Sequence, residues 1–429
     1  MQTCDVLVVG GGSAGLAAAV AAGRLGARTL LVERGGSLGG MASAALVHSI
    51  CGMYRLSAGP GHCGKGGGSA VASFANPGFA AEFATRLLEA GGAKGPHRIG
   101  RVDVLLQHPT AFARLADQLT REVAALEVRF HTELIGAAND FRSVSLCCRG
   151  QHAEVSAGVI VDATGDALVA SLGGAKWEQE SSARLQRPAF IFALHGVAPG
   201  AVDDDCRLKI AGRITSAVQS GILPESALGA ALRDSGWNGE VFVTIDLDAA
   251  DYDPLDPRCL SKLEMDGREL AIRLADFLRE EVPGFGQSAV SAFPSRVGVR
   301  ESRRILGEYR LETGDIERGA EFSDAIALAT WPMELRETAR GARLRFPEEN
   351  RPCEIPLRSL RAAGHENLFV AGRCISSSHE AQASIRVIGT CLATGEAAGL
   401  AAALHVDTGV CDAATVRSVR ERFTTWKGR

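Results

Sequence analysis

The amino end carries the feature that most restricts the fold, a short apolar strand that runs directly into a glycine-rich turn. Residues 4–9 form an apolar, β-branched run, which is typical of a strand buried on both faces of a parallel sheet. Gly10, Gly12 and Gly15 follow with the spacing G-x-G-x-x-G, and residues 16–25 are rich in Ala and Leu. The pattern therefore predicts a strand, a glycine turn and a helix that begins inside the turn.

A second apolar run ends in an acidic residue. Residues 28–32 form this run, and Glu33 closes it 18 residues after Gly15. A carboxylate at this position accepts the two hydrogen bonds of a ribose diol and repels a 2′-phosphate. The order predicts a βαβ unit that binds NAD or FAD, with the pyrophosphate at the helix amino end. A glycine turn in an α/β domain without a nucleotide is the alternative.

Composition narrows the class of protein. The chain has 429 residues, enough for two or three folding units. Hydrophobic residues make up 46% and charged residues 22%, and a net charge of −4 argues against nucleic acid as a main partner. The eleven cysteines include no C-x-x-C pair, so neither a metal site nor a disulfide framework is predicted. With no leader or membrane span in the sequence, we expect a cytoplasmic protein without membrane contact.

Three later segments extend the nucleotide pattern. Residues 35–43 form a second glycine turn, residues 159–166 form a strand that ends in A-T-G-D, and residues 367–373 form a strand that ends in A-G-R. Bare backbone amides in such turns suit a long cofactor. With these segments the chain resembles the FAD-dependent oxidoreductases that have a glutathione-reductase-like flavin domain. It is most similar to the subgroup with a G-V-R-E-S-R-R-I segment, here residues 298–305.

The resemblance covers nearly the whole chain and implies an α/β fold with one bound FAD. A Rossmann-like FAD-binding domain is expected to hold the cofactor in an extended form, with its isoalloxazine ring near the carboxyl-terminal segment. A mixed α+β substrate domain is expected as an insertion. The implied limits are 1–45, 100–175 and 359–429 for the FAD domain, 46–99 for an active-site loop and helix insertion, and 176–358 for the substrate or cap domain.

The resemblance also implies the cofactor contacts. A helix that starts at Gly389 and Thr390 is expected to direct its amino end at the flavin and stabilise the negative charge of the reduced ring. The alternative is that this helix only packs on the sheet. The expected contacts are Gly10, Gly12, Ser13, Ala14, Gly15, Glu33, Arg34, Gly39, Gly40, Met41, Ala42, Ser43, Leu134, Ala163, Thr164, Gly165, Gly372, Arg373, Arg386, Gly389 and Thr390.

His379 is one predicted catalytic residue. It lies in the segment 376–386, which in the enzymes that the chain resembles lines the flavin ring. A histidine there accepts a proton from a substrate or, when charged, holds an anionic one. The alternative is that it only hydrogen-bonds within the loop.

Arg300 is the second predicted catalytic residue. If 300–304 were helical, Arg300 and Arg304 would share a face, with Arg303 beside them. Arg300, with Arg386, would then bind a substrate carboxylate in bidentate fashion. The alternative, favoured for Arg304, is a structural ion-pair network with Glu301, Glu308 or Asp315.

A loop rich in reactive side chains follows the second glycine turn. It contains His48, Cys51, Tyr54, His62, Cys63 and Lys65. The spacing of its His and Cys residues matches no standard zinc site, so a loop over the flavin is the simpler interpretation, and no metal is predicted.

These features together predict a FAD-dependent dehydrogenase or oxidase. It would transfer a hydride from a small, anionic or amine-bearing substrate to flavin N5, and O2 or another acceptor would reoxidise the flavin. Two alternatives stay open: a reductase or electron-transfer subunit supplied by NAD(P)H or a partner protein, and a flavin-binding scaffold without turnover. The sequence leaves open whether the protein is a homo-oligomer or has a partner subunit.

Overall fold

The computed structural model describes residues 2–56, 73–249, 251–409 and 411–424. The helices of these residues are α1 (Ser13–Arg24), α2 (Phe79–Glu89), α3 (Pro109–Arg121), α4 (Leu168–Leu172), α5 (Asp204–Gln219), α6 (Pro257–Glu281), α7 (Thr313–Arg318), α8 (His379–Ile385), α9 (Ile388–Thr408) and α10 (Ala413–Thr424). The strands are β1 (Gln2–Val9), β2 (Thr29–Val32), β3 (Ser49–Ile50), β4 (Ala93–Ile99), β5 (Val102–Gln107), β6 (Leu126–Arg129), β7 (Glu133–Ala137), β8 (Ser143–Cys148), β9 (Gln151–Asp162), β10 (Trp177–Glu178), β11 (Ala189–His195), β12 (Ala231–Asp234), β13 (Val241–Asp246), β14 (Ala289–Ala292), β15 (Arg304–Ile305), β16 (Ala325–Ala329), β17 (Met333–Leu335), β18 (Arg343–Arg345), β19 (Cys353–Pro356) and β20 (Leu368–Val370).

A seven-stranded sheet carries the predicted βαβ unit. Its strands follow the order β6, β2, β1, β9, β8 and β7, and β20 pairs with the end of β9. β6, β2, β1, β9 and β20 are parallel to one another, whereas β8 pairs antiparallel with β9, and β7 pairs antiparallel with β8. Residues 6–8 of β1 have no exposed surface, which confirms a strand buried on both faces. Val9 is level with Val32 and Asp162, so the segments after these strands meet at one edge.

The residue pattern at 127–135 predicts a single strand, and this prediction is wrong. β6 ends at Arg129 and β7 begins at Glu133. Between them His131 has a φ of +53°, and the amide of Thr132 donates to the Glu33 carbonyl at 3.0 Å. At this turn the chain leaves the parallel sheet, and its backbone hydrogen-bonds to the residues that follow β2.

Helices α1 and α9 pack closely because small residues line their contact. A β-carbon added at Gly395 would lie 2.1 Å from the carbonyl oxygen of Ala14, and one at Gly399 would lie 2.1 Å from that of Ala18. Their contact fixes the amino end of α1 against the sheet. Among the described residues no single helix has the length and apolar composition to cross a membrane, and only α8 and α9 together, across a bend of 92°, meet that test.

A second, antiparallel sheet has the order β12, β13, β11 and β14. One face packs on α5 and α6 in an apolar cluster whose buried members lie between residues 185 and 297. The other face presents Ile191 and Phe242 to Val47, which follows the second glycine turn. The whole cluster lies within the predicted insertion, 176–358, but the domain limits themselves stay a prediction.

Candidate functional site

A cavity of about 440 Å³ lies at the carboxyl edge of the large sheet. Gly10, Glu33, Ala163 and Ala371, the residues that directly follow β1, β2, β9 and β20, all line it. The cavity continues to the four-stranded sheet, where Ile191 is part of its wall. It therefore joins the predicted nucleotide site to the predicted substrate domain.

The first glycine turn has a shape that side chains would block. Gly10 has a φ of +99°, and a β-carbon there would lie 2.6 Å from the Ala163 carbonyl oxygen. A β-carbon at Gly15 would lie 1.8 Å from the Gly10 carbonyl oxygen. At Gly12, the N-cap of α1, no atom lies within 4 Å of a β-carbon. Because the first N–H groups of a helix lack partners within it, this open space suits an anionic group.

Glu33 is held rigidly against the same turn. Its carboxylate oxygens accept from the amide of Gly11 at 2.7 Å and from that of Gly35 at 2.8 Å. The residue is 5% exposed and lines the cavity. Since each carboxylate oxygen has a further lone pair, Glu33 can still accept hydrogen bonds from a ligand.

Arg296 adds a positive charge to the glycine turns, and the sequence patterns did not single it out. A β-carbon at Gly40 would lie 2.9 Å from the Gly12 Cα and 3.5 Å from Arg296 Nη2. The Nε of Arg296 is buried without a hydrogen-bond partner, and no carboxylate among the described residues forms an ion pair with it. Burial lowers its pKa. Arg296 precedes the G-V-R-E segment, but no local motif marks it.

The A-T-G turn is organised by a buried carboxylate and an arginine. Asp162 is fully buried and accepts from the amide and hydroxyl of Thr164, the latter at 2.6 Å. Burial raises the pKa of Asp162. Arg373 donates to the Gly165 carbonyl at 2.8 Å and to the Asp166 carboxylate at 2.5 Å. Arg373 thus connects the turn after β20 to the turn after β9.

The structure brings most, but not all, of the predicted cofactor contacts to the cavity. Those that line it are Gly10, Gly12, Ser13, Ala14, Glu33, Arg34, Gly40, Met41, Leu134, Ala163, Thr164, Gly165, Gly372, Arg373 and Arg386. Those that are described but do not line it are Gly15, Gly39, Ala42, Ser43, Gly389 and Thr390. Gly39 and Ser43 instead fix the second turn, the former by an amide bond to the Gly11 carbonyl and the latter by a hydroxyl bond to the Leu38 carbonyl. The cofactor roles of all these residues stay predictions.

The amino end of α9 borders the cavity without Gly389 and Thr390. Val387, Ile388 and Cys391 line the cavity. Gly389 donates its amide to the Cys51 carbonyl at 3.0 Å, and a β-carbon on Gly389 would lie 2.6 Å from Gly52. This glycine therefore packs the loop after β3 against α9.

A buried charge network forms the end of the cavity remote from Glu33. Asp246 lies 2.8 Å from both Arg300 and Arg336, and Arg336 pairs with Glu334 at 2.7 Å. Burial lowers the pKa of Arg300 to about 10. Although burial raises the pKa of Glu334, Arg336 and Arg386 together lower it to about 2. Glu334 and Arg336 line the cavity and were missed because no sequence motif contains them.

Arg300 and Arg386 both line the cavity, as predicted for substrate contacts. Arg300 already has a carboxylate partner in Asp246. Arg386 donates to the Gln186 side chain at 3.1 Å and to the Glu334 carbonyl at 3.3 Å, while its Nε is buried without a partner. Of the two, Arg386 has more capacity left for a ligand.

His379 lies behind the wall of the cavity and does not line it. Its Nδ1 is 2.9 Å from Glu301, which also pairs with Arg304 at 2.5 Å. Burial lowers the pKa of His379, but the hydrogen bond and negative charge of Glu301 give a net raised pKa. The premise of a helix at 300–304 is wrong, since 300–303 has no regular structure and Arg304 starts β15. Arg304 pairs with Glu301, as its structural interpretation predicted, but its other partners are Glu178 and Glu180 rather than Glu308 or Asp315.

Part of the predicted His/Cys loop borders the cavity. His48 and Cys51 line it. Burial lowers the pKa of His48 to about 4 and raises the pKa of the Cys51 thiol, so neither group is charged near neutral pH. His62, Cys63 and Lys65 lie outside the described residues.

Comparisons with known proteins identify a family for the chain. A family model described as FAD dependent oxidoreductase matches residues 5–423. No curated protein matches the chain significantly.

Solved structures similar to the chain include a geranylgeranyl bacteriochlorophyll reductase-like protein of Thermoplasma acidophilum. It is 14% identical, with a TM-score of 0.48, and the match covers 98% of this chain and 83% of that one. The p-nitrophenol 4-monooxygenase of Pseudomonas putida is 12% identical, with a TM-score of 0.46, and the match covers 99% of this chain and 84% of that one.

Proposed function

The chain belongs to the FAD-dependent oxidoreductase family, with FAD as its cofactor, and from this premise we propose a dehydrogenase or oxidase that removes a hydride from a small substrate. The substrate donates the hydride at a carbon next to nitrogen, oxygen or a conjugating group. O2 or another acceptor then receives the electrons.

The residues at the Glu33 end of the cavity fit the nucleotide part of FAD. The open space over Gly12 accommodates the diphosphate at the amino end of α1, and the unpartnered Arg296 supplies a cation beside it. Glu33 accepts the ribose hydroxyls. An orphaned buried guanidinium next to a glycine turn is the observation that supports this fit.

One observation carries the proposed activity, namely that a single cavity continues from the nucleotide end to Arg300, Arg386 and Trp331. FAD, when bound, supplies a two-electron acceptor there. The wall near Trp331 is apolar, with Val104 and Ile191 facing the same space, so it limits water around the reacting carbon. Arg386 stabilises negative charge that develops at this end.

His379 has a positioning role in this proposal, because it contacts the cavity only through other residues. It contacts Glu301, which accepts from the amide of Gln186 at 3.4 Å. The Gln186 side chain in turn accepts from Arg386. The charge of His379 thus acts on the cavity through Arg386, rather than through contact with a substrate.

Anaerobic mixing of the FAD-loaded protein with amines, amino acids and hydroxy acids tests the activity. We expect at least one of them to bleach the oxidised flavin absorption, and the matched compound with deuterium at the donated position to do so more slowly. Reduction by NADH alone, with no organic donor active, would favour the alternative of a reductase. No bleaching by any donor would contradict both.

A further inference from the structure

A second cavity borders the first, next to the four-stranded sheet. Its volume is about 420 Å³, and it shares Ile99, Ala231 and Arg233 with the larger cavity. Its outer wall includes Gly100 and Leu208, which is 74% exposed. The second cavity therefore connects the reaction end of the main cavity to the protein surface.

Arg233 stands at the junction and has no partner among the described residues. It lies on β12, at the edge of the four-stranded sheet, and its guanidinium forms neither a hydrogen bond nor an ion pair with them. The residues outside the described ranges include no Asp or Glu, so they offer no side-chain carboxylate either. The charge of Asp204 acts on Arg233 without forming an ion pair with it, and a half-buried cation that lacks a direct partner is costly unless a ligand supplies one.

The neighbouring arginines differ from Arg233 in this respect. On the inner side, Arg300 and Arg336 pair with Asp246. In the second cavity, Arg207 pairs with Asp204. Arg233 is therefore the cation of this junction that is free to bind an incoming anion.

The second cavity also has the charge to attract an anion. Arg98, Arg207 and Arg233 line it, and because Arg98 pairs with Asp103 and Arg207 with Asp204, the positive charge that no ion pair among the described residues balances is that of Arg233. Cavities lined by one sign of charge raise the local concentration of ligands of the opposite sign. A path of this kind selects against cationic substrates.

We propose that the substrate is an acid, which passes through the second cavity and is held by a bidentate contact between Arg233 and its carboxylate or phosphate group. This inference rests on the proposed oxidation of a small molecule and names the class of that molecule. It assigns to Arg233 the acid-binding role that the sequence suggested for Arg300. A guanidinium fork matches both kinds of oxyanion.

Calorimetric titration of the FAD-saturated protein tests the site without requiring turnover. The probes are benzoate, phenyl phosphate and benzamide, which share a ring and differ in charge. We expect at least one of the two anions to bind, and benzamide to bind at least about tenfold more weakly. Arg233→Gln is expected to weaken anion binding about tenfold or more, and Arg233→Lys less. Lys209→Gln, an exposed charge on α5 outside both cavities, should leave it unchanged.

Three results would overturn the proposal: no binding of either anion, equal binding of benzamide, or anion binding that Arg233→Gln leaves unchanged. If Arg233→Gln no longer binds FAD, anion binding by Arg233→Lys is compared with that of wild type instead, and unchanged binding would overturn the proposal. Bleaching of the flavin by a neutral donor, with no effect of Arg233→Gln, would leave the proposed oxidation intact and refute only the acid-binding site. If anion binding depends on Arg233 but no donor bleaches the flavin, only the proposed oxidation of a small molecule is refuted. The preferred anion shows which acid group the site takes.

Discussion

Arg296 is the residue whose substitution reports most directly on the diphosphate site. Its guanidinium lies beside Gly40 and Gly12, with Nε buried and unpartnered. A hydrogen bond to a charged group contributes about 1.5–3 kcal/mol, so we expect Arg296→Leu to raise the dissociation constant of FAD by roughly 10–100-fold. Equilibrium dialysis of the apoprotein measures this constant.

The control for Arg296 uses both a second variant and ligands of different composition. Arg121→Leu removes an exposed charge at the end of α3 and should leave FAD binding as in wild type. ADP keeps the diphosphate and riboflavin lacks it, so Arg296→Leu should weaken ADP binding and spare riboflavin. If Arg296→Leu weakens the binding of ADP and of riboflavin equally, Arg296 does not act through the diphosphate.

His379 gives the stability of the protein a defined dependence on pH. Burial opposes its charge, but Glu301 raises its pKa above the ordinary value, which is about 6.5. A raised pKa in the folded state stabilises the protein fully below the unfolded value and loses that contribution as pH rises through the folded value. We therefore expect the free energy of unfolding of wild type, relative to His379→Gln, to fall as the pH rises above about 6.5. Urea unfolding across this range measures the difference.

Two further variants identify the source of this pH dependence. His152→Gln, on the exposed part of β9, should show no such trend. Glu301→Gln should remove most of it, because the buried carboxylate is the group that favours the charged ring. A wild-type advantage that stays constant or grows with pH would be inconsistent with a charged His379.

At this scale the sequence predicts residues whose role is local and misses those whose role depends on distant partners. The places of Gly15 in the first turn and of Glu33 at the strand end were predictable because both lie within one βαβ unit, whereas their contacts with the cofactor stay predictions. Arg296 and Arg233 carry no motif, and only the folded chain shows that they line a cavity and form no ion pair with the residues that the structure describes. Arg300 was predicted as a substrate contact, yet Asp246, 54 residues earlier in the sequence, already occupies it.

Among the elements, the contact between α1 and α9 controls the position of the glycine turn. A β-carbon at Gly399 would lie 2.1 Å from the Ala18 carbonyl oxygen, so the helices must separate to admit it. We expect Gly399→Ala to lower the free energy of unfolding by about 1–3 kcal/mol, and FAD affinity to fall with it. Urea unfolding and dialysis of FAD give the two values.

The matched control is another glycine-to-alanine change within a helix. At Gly212 in α5 no atom lies within 4 Å of a β-carbon, so Gly212→Ala should be neutral or stabilise by up to about 1 kcal/mol. If both substitutions have the same effect, helix propensity rather than packing accounts for the result.

Elements with strong periodicity were predictable, and those defined by tertiary contacts were not. The sequence pattern predicts a helix at 260–281 and a strand at 189–194, and the structure has α6 and β11 there. In contrast, 300–304 has the spacing of a helical face but forms no helix, because Glu301 and Arg304 take part in the buried network with His379. The spacing of residues along the sequence could not show that these tertiary contacts outweigh helix formation.

For the whole molecule, FAD is expected to act as a structural link between the two sheets. The cavity wall includes Gly10 and Ala163 beside the large sheet and Ile191 and Thr244 from the four-stranded sheet. Ala163 and Ile191 belong to separate apolar clusters. A ligand that binds only the folded state stabilises it by about 2.7 kcal/mol at a concentration 100 times its dissociation constant. Removal of FAD should therefore lower the unfolding temperature, and added FAD should restore it in a concentration-dependent way.

ADP separates the stability that the nucleotide part of FAD contributes from the stability gained when the whole cofactor contacts both sheets. ADP reaches the turns near Gly12 and Glu33 but has no ring to extend to Ile191, so we expect its dissociation constant to exceed that of FAD, and at equal ligand concentrations ADP should restore less of the unfolding temperature. Scanning calorimetry of apoprotein, ADP complex and FAD complex measures all three, each at a ligand concentration the same multiple above its own dissociation constant. Under that condition site occupancy alone raises stability equally, so any excess for FAD must appear as a tighter dissociation constant and a sharper, more cooperative transition. Identical cooperativity in all three states would mean that the sheets are coupled by the chain itself and not by the cofactor.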